Sequence, residues 1–122
     1  MTMLTLRDIR ARKAKRKRLL ERNLEAIRKQ LEKMGALKII VFGSLAGGCV
    51  RSTSDLDIIS IMPATRSGKQ WMKAIYDGVE RDVDCDILAY TPRELEKAVP
   101  VSRFLRHALK TGRVIYEKRP QG

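Results

Sequence analysis

Leu37-Lys38-Ile39-Ile40-Val41-Phe42-Gly43-Ser44-Leu45-Ala46-Gly47-Gly48, followed a few residues on by Ser54-Asp55-Leu56-Asp57-Ile58, decides how this chain is read. Leu37 to Phe42 is apolar, β-branched and bounded by glycines, which fits a buried strand and is too short for a helix. It delivers the chain to Gly43-Ser44 and a run of small residues that can form a short helix. The start of such a helix offers backbone N–H groups and the Ser44 hydroxyl to an anion, and glycine lets the backbone come close. If residues 55–61 are extended, side chains alternate, so Asp55 and Asp57 share one face while Leu56 and Ile58 point into a core. Neighbouring carboxylates repel, and a divalent cation between them removes that penalty. Their hard oxygens suit Mg²⁺ better than zinc. A phosphate-holding turn joined to paired carboxylates suggests metal-assisted phosphoryl transfer.

Upstream, Thr5-Leu6-Arg7-Asp8 forms a capping box for a helix that meets no Pro or Gly before Gly35. Leu20, Leu24, Ile27, Leu31 and Met34 follow helical spacing and form its docking stripe. Arg10 to Arg18 has little apolar content and is expected to project as an exposed or fraying basic arm. Downstream of an expected strand from Asp55 to Met62, Ser67 and Gln70 cap another helix, whose buried face is Trp71, Met72, Ile75, Tyr76 and Val79. Val83 to Tyr90 reads as a third strand, with Asp84, Asp86 and Leu88 on the face opposite Val83, Cys85, Ile87 and Ala89. Thr91-Pro92-Arg93-Glu94 starts a short helix that Val99-Pro100 ends. A last helix over 102–111 presents Phe104, Leu105, Ala108 and Leu109 and leads through Gly112 to an edge strand at Val114 to Glu117. The expected organisation is a basic N-terminal helix over residues 1–36, an α/β domain over 37–117 and a loose tail over 118–122.

Composition narrows the field. The 122 residues are one domain's worth, with 43% hydrophobic and 33% charged residues. No apolar run approaches the length of a membrane span, and the charged N-terminus lacks the features of a secretory signal. A cytoplasmic location and no membrane partner are expected. Cys49 and Cys85 lack metal-ligand spacing, and His107 is the chain's only histidine, so structural zinc has no plausible ligand set. The formal net charge is +12, and residues 1–34 carry twelve Lys and Arg against Asp8, Glu21, Glu25 and Glu32. That segment either contacts RNA, DNA or an acidic protein or is a solvated helix face. Trp71 and Tyr76 read as core anchors, His107 as a structural residue near a helix C-terminus, and Cys49 as an inert loop residue.

The turn is not a Walker loop, since no Gly-Lys-Ser/Thr follows, and its glycines do not fit GxGxxG. Gly43-Ser44, Ala46, Gly48, Ser54-Asp55-Leu56-Asp57 and a later strand carboxylate together resemble the nucleotidyltransferase superfamily that includes DNA polymerase β. The likeness is greatest to the minimal nucleotidyltransferases, small single domains related to the kanamycin nucleotidyltransferase core, and runs from Leu37 to Glu117. The resemblance implies a central mixed β-sheet flanked by helices. It implies that Asp55, Asp57 and Asp86 bind a pair of Mg²⁺ ions and that Asp86 accepts the proton of the acceptor hydroxyl. Asp84 shares a face with Asp86 in an ideal strand and is the alternative third carboxylate. Gly43 and Ser44 match residues that hold the β and γ phosphates, and Gly48 belongs to the same turn. Many relatives carry arginine where this chain has Gly47, and often a basic residue where it has Leu45. Arg51 either contacts phosphate in their place or solvates the loop.

The implied activity is transfer of a nucleoside monophosphate, with AMP expected, from a nucleoside triphosphate such as ATP to an acceptor hydroxyl. Relatives of this size are often paired with a HEPN-domain partner in a toxin–antitoxin pair, where the transferase is the antitoxin. Two other readings share the fold: a noncatalytic module that binds a partner protein or RNA, and an RNA-directed transferase holding RNA through Arg10 to Arg18. Oligomeric state is open, a homo-oligomer included.

Overall fold

Strand order β3-β2-β1-β4 defines the sheet, in a computed structural model that describes residues 5–48, 50 and 55–119. The strands are β1 (Lys38–Phe42), β2 (Leu56–Ile61), β3 (Cys85–Tyr90) and β4 (Arg113–Glu117). The central strand β1 runs antiparallel to both β2 and β4, whereas β2 and β3 are parallel. The sheet is therefore mixed. The parallel pair is possible because α3 (Gly68–Gly78) makes the crossover between β2 and β3. The remaining helices are α1 (Leu6–Met34), the single-turn α2 (Ser44–Gly47), α4 (Pro92–Ala98) and α5 (Arg103–Thr111), with a 3₁₀ turn over Val99–Val101.

Local chemistry explains where the helices begin. Thr5, Ser67 and Thr91 each accept a hydrogen bond from the backbone three residues on, and Asp8, Gln70 and Glu94 return it. Gly35 ends α1 in the left-handed conformation at φ 104°. No helix among the described residues is long and apolar enough to cross a membrane.

Strand alternation divides the core in two. Ile39, Val41, Leu56, Ile58, Cys85, Ile87 and Ala89 pack with Leu20, Leu24, Ile27 and Leu31 of α1 and Trp71 and Ile75 of α3. On the opposite face Ile40 and Ile59 meet Leu105 and Ala108 of α5 in a smaller cluster, flanked by Phe42, Leu88 and Tyr90. Two polar side chains of α1 fix the approach to β3. The Asn23 side chain accepts from the Asp82 backbone N–H at 2.8 Å, and that of Gln30 accepts from Glu80 N–H at 2.9 Å.

Several expectations are corrected. Tyr76 leaves the core: it is 41% exposed, with the Arg81 guanidinium stacked 4.9 Å from its ring centre. Phe104 is 54% exposed and meets Phe42 edge-on at 5.6 Å. Of the two states expected for Arg10 to Arg18, exposed or fraying, the first is found, within continuous helix. The side chains of this stretch are exposed apart from Arg16, which is half-buried. The expected strands are also trimmed, so Asp55 and Asp84 precede β2 and β3 instead of lying within them.

Candidate active site

The strand β1 ends at Phe42, and its neighbour in the β2 ladder is Asp57. Gly43 follows with φ 76° and ψ −146°, a conformation open to glycine. A Cβ on Gly43 would lie 2.5 Å from Asp57 Oδ2. The turn and the carboxylate are thus in close apposition, and glycine is required there twice over, for its backbone angle and for its missing side chain. Ser44 opens α2, and Gly48 ends it in the left-handed conformation, with its N–H bonded to the Ser44 carbonyl. Arg51, Ser54 and Cys49 lie outside the described residues.

Across the parallel pair, Asp57 is in register with Asp86. Both side chains fall on the face opposite the large core, because Leu56, Ile58, Cys85 and Ile87 point the other way. Burial pushes the Asp57 carboxyl above the ordinary aspartate range, and the charges of Asp86 and Asp55 push it further in the same direction. The registered neighbour of Asp57 is Asp86. Asp84 contributes its backbone carbonyl to Leu56 N–H at 3.1 Å, and it lines a separate hollow with Arg16, Arg81, Asp82 and Val83.

Asp55 is placed differently from its two companions. One of its oxygens lies 3.5 Å from an Arg16 guanidinium nitrogen, so the basic half of α1 reaches the site. Sequence reasoning missed this contact, although Arg16 falls one helical step before Leu20 on the docking stripe. Among the described residues no three His, Cys, Asp or Glu side chains are gathered closely enough to hold a metal ion together. Asp57 and Asp86 form the registered pair, and Asp55, whose charge also reaches Asp57, lies beside Arg16. The donor set still fits Mg²⁺: Asp57 and Asp86 offer hard oxygens from adjacent strands, with mutual repulsion that a cation would relieve.

Cys85 does not compete as a nucleophile. It faces the large core, and burial drives its thiol up to about 12. A cavity of about 580 Å³ lies between the turn and α5, lined by Gly43, Ser44 and Gly47 on one side and Phe104, His107, Ala108 and Thr111 on the other, with Phe42 as well. Sequence reasoning assigned His107 a structural role. The i, i+3, i+4, i+7 spacing from Phe104 to Thr111 was the available signal that these residues share a face.

Comparison with known proteins points to one family. The family model described as "Nucleotidyltransferase domain" matches residues 21–120. The fold is similar to that of a candidate nucleotidyltransferase from Sulfolobus solfataricus, solved at 1.40 Å, with a TM-score of 0.55 and 14% sequence identity. That match covers 96% of this chain and 94% of the other. No curated protein matches by sequence.

Proposed function

The chain belongs to the nucleotidyltransferase domain family, and we propose that it transfers AMP from ATP to an acceptor hydroxyl with Mg²⁺ as cofactor. The observation that carries this reading is the registered pair of Asp57 and Asp86 with Gly43 seated against Asp57. A repelling pair of carboxylates with one pKa raised is costly to the fold, and such arrangements concentrate where charge is used. Mg²⁺ bound there would neutralise phosphate charge and make the acceptor hydroxyl easier to deprotonate.

Each side chain has a proposed role. Asp57 and Asp86 would hold the cations, with Asp55 as a further carboxylate ligand. Gly43, Ser44 and Gly48 shape the backbone that receives the β and γ phosphates, with Arg51 as a further phosphate contact. The acceptor oxygen forms a bond to the α phosphorus as the bond to the bridging oxygen breaks; pyrophosphate leaves and the hydroxyl proton passes to Asp86. Positioning and charge neutralisation supply most of the catalysis in such transfers, so no histidine base is needed.

The acceptor we propose is a protein hydroxyl, in the arrangement of a HEPN/MNT toxin–antitoxin pair. Asp86 is exposed, and a partner protein would supply both acceptor and cover. The direct test is incubation with α-labelled ATP, Mg²⁺ and a HEPN-domain partner. Label should reach the partner and be lost in Asp57→Ala and Asp86→Ala; transfer that persists in both variants rejects the mechanism.

A second reading, a noncatalytic module that binds RNA or a partner, is favoured by the cations of Arg10 to Arg18, exposed apart from Arg16. It requires polyanion binding that weakens steeply with salt, together with no MgATP binding. Titration with MgATP separates the two.

A further inference from the structure

Residues 43–48 carry no charged side chain. A turn that receives the terminal phosphates of a triphosphate there offers backbone N–H groups and the Ser44 hydroxyl, and an imidazole or charged donor has to come from another element. The element facing it is α5, across the cavity lined by Gly43, Ser44 and Gly47. Of the α5 side chains there, Phe104 and Ala108 are apolar, and the Thr111 hydroxyl donates to the His107 carbonyl at 2.8 Å within the helix. Among the described residues His107 is the sole titratable side chain lining the cavity. The neighbouring Arg106 is directed elsewhere, donating to the carbonyls of Val99 and Pro100 at 2.8 Å each.

We infer that His107 binds the terminal phosphate of the nucleotide across this cavity and so makes the site selective for triphosphates over diphosphates. The inference rests on the transferase reading above and assigns one residue to it. An imidazole N–H is a donor suited to a phosphate oxygen. The apolar walls provided by Phe42, Phe104 and Ala108 strengthen such a contact by excluding water from one side. His107 is a binding and specificity residue in this account, remote from the reacting α phosphorus.

The test is calorimetric titration of the whole chain with MgATP, MgADP and magnesium tripolyphosphate, using His107→Ala and His107→Arg. His107 is exposed, so both variants should melt with the wild type. His107→Ala should weaken MgATP and tripolyphosphate about tenfold, the size of a lost hydrogen bond to a charged group, and leave MgADP unchanged. His107→Arg should restore the preference for MgATP. Equal losses for ATP and ADP, or no loss, overturn the role of His107 and leave the transferase reading intact. A wild-type chain that binds none of the three ligands overturns both.

Discussion

The two faces of one sheet serve opposite ends. Toward α1 and α3, alternate residues of β1, β2 and β3 are buried hydrophobics in one continuous cluster. Toward α5, the same strands present a small apolar cluster and, in register, Asp57 and Asp86. The strand period makes this economical: one sequence buries Leu56, Ile58, Cys85 and Ile87 and displays carboxylates between them. Stability resides on one side, so the other can hold groups that repel.

The sharpest way to break this contrast is to cut into the closed face. Ile58→Ala should destabilise the fold by about 3 kcal/mol, as expected for a fully buried aliphatic side chain. Phe104→Ala, on a half-exposed ring of the open face, should cost less than about 1 kcal/mol. Urea denaturation compares the two, and equal costs would erase the distinction between the faces.

Asp57→Asn sharpens the contrast from the other side. It should abolish nucleotidyl transfer yet stabilise the metal-free chain by about 0.5 kcal/mol, the scale of a like-charge pair across strands. A melt at neutral pH without divalent ions reads the shift.

Titration gives a related expectation, with a definite sign. A carboxyl whose native pKa is raised binds its proton more tightly in the folded chain. The stability contributed by protonated Asp57 is present below the ordinary aspartate value of 3.8 and is lost as pH rises through the higher native value. Asp57→Asn should lack this component of the pH–stability profile.

The smallest expected effect belongs to Arg16→Gln. The pair with Asp55 has a half-exposed carboxylate, so the melting point should barely move. Manganese binding, followed by electron paramagnetic resonance, should tighten by about twofold once Asp55 has no arginine to compete for it. Looser binding would show instead that Arg16 assists the site.

Much of this was legible in the sequence, for local reasons. Thr5, Ser67 and Thr91 announced their helices because caps depend on residues three positions apart. Period-2 alternation set Asp57 opposite Leu56 and Ile58, and Asp86 opposite Cys85 and Ile87, while only the resemblance joined the two carboxylates. What was not legible depended on distant contacts. Whether Tyr76 and Phe104 were covered depended on what packs against their helices. Strand pairing stopped short of Asp55 and Asp84, which placed both at strand entrances, and the Arg16–Asp55 contact joins residues far apart in the chain. His107 gained its position only when α5 was laid across the turn.

The central claim is that Asp57 and Asp86 together form the bed for a divalent cation that carries the nucleotide. Titrating Mn²⁺ into the wild type, Asp57→Asn and Asp86→Asn, with ATP present and bound metal followed by electron paramagnetic resonance, tests it most directly. The expected result is nucleotide-dependent metal binding in the wild type that either substitution removes. Binding of equal strength in all three proteins would contradict the account.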